Sequence, residues 1–276
     1  MLKNKILSII ALLILLSTSC TKPPNDGIPA YIQIDSVSLN VEDDEGTAIH
    51  GISDLWIESE GENVGVHEYP KIVPALISGE RDVVINAGIM VSGDPLLREI
   101  YPFLKPYNTT LTFTPQDTTI ISPVFEYKDG LTFVLNETFE SSNIFSGMTR
   151  TDANDSENIE GRAGTLYVDE DTPLAEATTA TFIDIPEDSQ VYLEVSFKGE
   201  HSFEMGIEGF NNGASTGATF LTSFYPNDEW QKIYFDLTNL TFNLNAEEFN
   251  FFFSLQKSNS VTDANVYVDN IKIIYR

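Results

Sequence analysis

Short runs in which apolar and polar residues alternate constrain this chain more than any other feature. In "VYLEVSFKG" (191–199), Val191, Leu193, Val195 and Phe197 share one side, and in "EFNFFFSLQ" (248–256) Phe249, Phe251, Phe253 and Leu255 do the same. A period of two belongs to a strand with one face buried. Beyond the N-terminus no stretch keeps a helical period for long, and Gly, Pro and acidic clusters separate the runs. With 18 Phe and 11 Tyr beside recurrent Val, Ile and Thr, the composition suits pleated, half-buried surfaces. The expectation is an all-β chain, and its length suggests two domains.

The N-terminus reads differently. Lys3 and Lys5 precede an apolar run from Ile6 to Leu16, and Ser17-Thr18-Ser19 then lead to Cys20, the one cysteine of the chain. The run is too short to cross a bilayer as a helix, and its order is that of a secretory signal. "LSTSC" resembles a bacterial lipoprotein box, with Ser17 in the slot where such boxes usually carry leucine. That resemblance implies a signal peptide over 1–19, acyl chains on Cys20, and a lipidated tether over 20–29 that is polar and proline-rich. Thr21 stands where an aspartate would resemble an inner-membrane retention signal, so the implied location is the outer membrane. The acidic, β-rich style of the chain resembles lipoproteins of the Bacteroidota, many of which face the cell exterior.

Removing residues 1–19 takes two lysines from a chain of net charge −27 and leaves −29. Nucleic acid is excluded as a partner, because binding it depends on neutralising phosphates with Lys and Arg. A surface of this sign fits a solvated exterior or cation binding.

Residues 30–127 carry short segments such as "YIQIDSVSLNV", "DLWIE", "NVGVHEY", "RDVVIN" and "TTLTFTP", which predict a small antiparallel sandwich. The layout of "VGVHEYPKIVPALISGERDVVINAGI" resembles the transthyretin-like or carboxypeptidase-regulatory-like fold, broadly Ig-like. Trp56 is expected under the loop around Tyr101-Pro102-Phe103. "EYKDGLT" (126–132) has the composition of a linker.

Residues 131–276 form the second expected domain. "NETFE" (136–140), "VYLEVSFKG" (191–199), "NDEWQKIYFDL" (227–237) and "VYVDNIKIIY" (266–275), in this order, resemble jelly-roll carbohydrate-binding modules and galactose-binding-like domains. The resemblance implies a jelly-roll β-sandwich. It also implies a structural Ca²⁺ between opening and closing strands, with Glu137 or Glu140 and Asp269 in the ligand positions. Alternation places Tyr192 and Glu194, Trp230, Lys232 and Tyr234, and Asn250 and Phe252 on faces opposite the core. Tyr192, Trp230, Tyr234 and Phe252 are therefore the candidate binding face, for a glycan or a protein, with packing beneath the first domain or a loop as the third use of these rings.

No catalytic motif stands out. His50, His67 and His201 are isolated, and G-x-S-x-G, H-E-x-x-H and phosphate loops are absent. The chain reads as a non-catalytic, lipid-anchored envelope protein. Two functions follow from this reading. One is a structural or accessory subunit of an outer-membrane protein complex for secretion, motility or outer-membrane assembly. The alternative is a surface glycan-binding lipoprotein.

Overall fold

The computed structural model describes residues 27–276, so the signal segment and Cys20 lie outside the described residues. The fold is nearly all β, as the alternation predicts, with a single short helix among the described residues. Ten strands build the first module: β1 (Ala30–Ile34), β2 (Ser38–Asn40), β3 (Asp54–Ser59), β4 (Glu62–Glu68), β5 (Lys71–Ala75), β6 (Gly79–Met90), β7 (Arg98–Ile100), β8 (Tyr107–Phe113), β9 (Thr118–Ile121) and β10 (Val124–Glu126). Twelve build the second: β11 (Thr132–Glu137), β12 (Phe145–Ser146), β13 (Thr149–Arg150), β14 (Gly164–Val168), β15 (Leu174–Thr179), β16 (Ile183–Asp184), β17 (Val191–Gly199), β18 (Phe203–Asn211), β19 (Ala214–Phe224), β20 (Asn227–Asp236), β21 (Glu248–Gln256) and β22 (Ala264–Tyr275), with helix α1 (Thr238–Leu244) before β21.

In the first module, a sheet of order β4-β3-β6-β7, with β8 also on β6, faces a three-stranded sheet β5-β1-β9 and the pair β2-β10. The sequence predicts an antiparallel sandwich, and two pairings depart from it. β1 pairs β9 in parallel and β2 pairs β10 in parallel, because the end of the module runs back alongside its beginning in the same direction. Ile32, Ile34, Leu55, Ile57, Val83, Ile85 and Ile89 fill the space between.

The second module is a sandwich of two six-stranded sheets. The first sheet has the order β13-β14-β22-β17-β20, with β11 also on β22. The second has the order β12-β15-β21-β18-β19, with β16 also on β21. The side chains expected inside are inside: Val191, Leu193, Val195 and Phe197 meet Phe249, Phe251, Phe253 and Leu255 in one apolar core. Each large side chain removed from water there contributes roughly 1.5–3 kcal/mol. Phe203, Phe224 and Phe253 extend this core as a cluster of rings, the first two stacked at 4.4 Å.

Residues 128–131 join the modules without slack. Tyr127 is buried, the Lys128 N–H donates to the Phe103 carbonyl at 2.8 Å, and the Lys128 ammonium donates to the Pro102 carbonyl at 2.7 Å. The stretch that composition marks as a linker is a fixed corner.

Candidate functional site

Four rings were expected to share one face, and the structure divides them. Tyr192 and Tyr234 lie on β17 and β20, on the outer side of the first sheet, each only 2% exposed. They are covered by the first module and share a core with its Tyr101, Phe103 and Ile89. Tyr101 packs at 5.3 Å from Tyr192 and 4.9 Å from Tyr234, and Phe103 at 5.2 Å from Tyr192. Each such pair contributes about 0.5–1.5 kcal/mol beyond its buried area. As an exposed binding surface these two positions are therefore corrected: their rings are the glue between modules.

This seam also carries charge. The Glu194 carboxylate pairs with Lys232 at 2.7 Å, both essentially buried, and accepts from the Tyr101 and Tyr127 hydroxyls at 2.8 and 2.9 Å. Lys272 donates to the Thr47 carbonyl at 2.9 Å and to the Tyr127 hydroxyl at 3.2 Å. Burial acts to raise the Glu194 carboxyl, and the Lys232 and Lys272 ammonium groups outweigh it and hold it below its ordinary value. Lys272 is pushed down to about 8, by burial first and then by Lys232. Backbone joins in, since the Ser92 N–H donates to the Tyr234 carbonyl at 2.7 Å and the Gly51 N–H to the Tyr234 hydroxyl at 2.9 Å. Gly51 is needed here: a Cβ on it would sit 2.4 Å from the Lys232 carbonyl oxygen.

Trp230 lies at the other end of β20, half-buried, and its indole N–H donates to the Glu157 carbonyl at 2.8 Å. The acidic loop 151–161 is thus tied to Trp230 by that hydrogen bond, and Lys198 pins it through an ion pair with Glu157 at 2.7 Å. Trp56, by contrast, is not covered by the Tyr101–Phe103 loop, which turns instead into the seam. Its indole N–H donates to the buried Asp54 carboxylate at 2.8 Å.

The expected calcium ligands also separate. Glu137 accepts from the Phe139 and Ile144 N–H groups at 2.6 and 2.8 Å, one at each oxygen, and so shapes the turn after β11. Asp269 is buried with one oxygen accepting from the Asn270 N–H at 2.7 Å and the other without a partner. Burial pushes its carboxyl up to about 8, opposed by the Asn270 N–H, with the charges of Glu160 and Glu140 adding to the rise. Glu140 accepts from the Arg162 N–H at 2.6 Å. Among the described residues no three acidic, His or Cys side chains converge as a metal cluster. The unpartnered, buried Asp269 oxygen suits a cation, and carbonyl oxygens would have to make up most of the six to eight that Ca²⁺ takes.

Phe252 stands apart from the other three, on the outer face of the second sheet. Residues aligned across that sheet form rows. One row runs Thr178, Phe252, Gly206, Phe220. The missing side chain of Gly206 is what lets the Phe252 ring lie flat on the sheet, because a Cβ there would meet Phe252 Cζ at 2.1 Å. Phe220, 58% exposed, meets Phe252 edge to face at 5.6 Å. On one side the next row is Asn250, Glu208 and Ala218, and on the other it is Glu176, Ser254, Glu204 and Ser223. Two rings over a glycine floor, flanked by carboxylates and an amide, form a platform with polar edges. Phe252 was legible from alternation. Gly206, Phe220, Glu204 and Glu208 were not singled out, although an isolated Phe in the Ser, Thr and Gly run of β19 was a signal.

No family model matches this chain, and no curated protein matches it. Among solved structures, the enzymatically active domain of tailspike protein 4 from bacteriophage CBA120 is similar over 56% of this chain at 13% identity and a TM-score of 0.37. The matched part spans about a quarter of the tailspike chain, at 26%. TmCBM61, solved with β-1,4-galactotriose, is similar over 51% of this chain and 97% of its own, at 12% identity and a TM-score of 0.36. The family 11 carbohydrate-binding module of a Clostridium thermocellum cellulase is similar over 52% of this chain and 94% of its own, at 13% identity and a TM-score of 0.34. At this level of identity and superposition a likeness carries no ligand or activity across.

Proposed function

We propose that this protein is a non-catalytic, lipid-anchored glycan-binding protein of the bacterial outer membrane, and that it binds through the outer face of its second sheet. The observation that carries the reading is the division of labour between the two sheets of the second module. One sheet is covered by the first module, while the other presents Phe252 and Phe220 flanked by Asn250, Glu204 and Glu208. Sugar rings stack their C–H faces on such aromatic rings, and carboxylates and amides accept and donate to the hydroxyls at the ring edge. The reading as a subunit of an envelope complex has no observation of its own, since two of the rings available for docking are spent within the molecule.

Anchoring through acyl chains on Cys20 belongs to the same proposal. Cys20→Ala should abolish palmitate labelling and release the protein from membranes. A Ca²⁺ ion held by Asp269 and Glu140 with neighbouring carbonyls would tie the closing strand to the opening loop, and would supply fold stability at a distance from the platform.

Affinity electrophoresis through gels containing polysaccharides tests the central reading. Migration should be retarded in at least one gel, and Phe252→Ala should restore free migration while leaving the melting temperature within a few degrees. A stoichiometric membrane-protein partner, with no retardation in any gel, would favour the complex-subunit reading instead.

A further inference from the structure

Two aromatic pairs, not one, lie on the outer face of the second sheet. Phe210 is four residues from Gly206 on β18 and pairs in register with Glu248, so it points to the same side as Phe252 and Phe220. Phe182, 44% exposed, packs against it at 4.8 Å. Four strand residues separate the pairs by about 13 Å, a length beyond any single sugar ring. Between them sit Asn250 and Glu208.

The charge on this face has one sign. Strands β12, β15, β16, β18, β19 and β21 carry Glu176, Asp184, Glu204, Glu208 and Glu248, and no Lys, Arg or His. Register places all five acids on the outer side: Glu176 beside Ser254, Glu204 beside Ser254 from the opposite strand, Glu208 beside Asn250, and Asp184 beside Glu248. None is paired in an ion pair among the described residues. Lys257, which follows β21, is turned to the Ser258 and Val261 carbonyls.

We infer that the ligand is a linear glycan chain free of uronate, sulfate and phosphate groups, laid along β18 and β21 from the Phe252–Phe220 pair to the Phe182–Phe210 pair. This rests on the glycan-binding reading and sharpens it. A carboxylate accepts strongly from a hydroxyl and is neutral in effect toward an uncharged sugar, whereas each anionic ring brought within a Debye length meets several like charges at once. An amino-bearing chain is tolerated for the same reason. The platform therefore discriminates by repulsion as well as by contact.

Affinity electrophoresis and calorimetry of the full chain with soluble neutral galactan, mannan, xylan and glucan, against polygalacturonate and alginate, test this. Binding to at least one neutral chain is expected, with both anionic chains at least about tenfold weaker at low salt, equivalent to about 1.4 kcal/mol. Glu204→Gln combined with Glu208→Gln should narrow that gap, and so should added salt. Anionic chains that bind as tightly as neutral ones would overturn the inference and leave the glycan reading standing. Failure of every polysaccharide to bind would overturn both. For whichever chain binds, its hexasaccharide should bind at least about tenfold more tightly than its disaccharide, with the advantage lost in Phe210→Ala. Equal affinities would remove the second aromatic pair from the site.

Discussion

Glu194 sits where two demands oppose each other. Burial disfavours its charge, and the ammonium groups of Lys232 and Lys272 with two tyrosine hydroxyls restore it. Glu194→Ala leaves Lys232 buried without a counter-charge, and loss of one partner of such a pair costs roughly 3–5 kcal/mol. A denaturation midpoint close to the parent's would show that the seam tolerates the bare lysine. Asp269 answers to pH with the other sign of logic. Its folded value lies above its unfolded one, so the stability it contributes is complete below about pH 4 and is lost as pH rises through about 8. Thermal melts in chelator should therefore fall between pH 5 and pH 8.5 in the parent and fall less in Asp269→Asn. Excess Ca²⁺ should raise the parent's melting temperature at pH 8.5 and not the variant's. Equal pH slopes in the two proteins would show the unpartnered oxygen to be hydrated.

At the scale of strands, the platform depends on a gap. Gly206 has an ordinary strand conformation, so Ala is tolerated by the backbone, but its methyl group would lift the Phe252 ring. Gly206→Ala should weaken glycan retention as much as Phe252→Ala, by about 2 kcal/mol, with little loss of stability. Retention unchanged in this variant would mean that the flat ring is not the contact. Alternation made the strands themselves readable: β17 and β21 bury the very side chains that a period of two assigns inward. What alternation does not carry is the identity of whatever covers an outward face. Tyr192, Tyr234 and Phe252 share the same local pattern, and the difference between seam and platform comes from Tyr101 and Phe103, some 90 residues away in the chain from Tyr192. The parallel pairing of β1 with β9 was hidden for the same reason, since nothing local in either strand specifies its partner.

The molecule as a whole behaves as one body because its second core crosses the module boundary. Tyr192, Tyr234 and Ile274 are buried with residues of the first module. A fragment of residues 131–276 exposes these side chains together with Lys272, and it should melt at least several degrees below the intact chain. Calorimetry of the intact protein should give one transition, and two resolved transitions would contradict a shared core. The direction of β6 gives the body its length. Arg81 lies near Ile28, where the described chain begins, while Val91 at the other end bridges to Tyr234, about 33 Å away at roughly 3.3 Å per residue. Suppose the protein is tethered at its N-terminus and pulled by a chain lying on the far sheet. The tension then crosses the whole length of the first module and passes through the Glu194 seam before it reaches the ligand. The seam is then a mechanical link in series with the aromatic platform, backed by the continuous chain at residues 128–131.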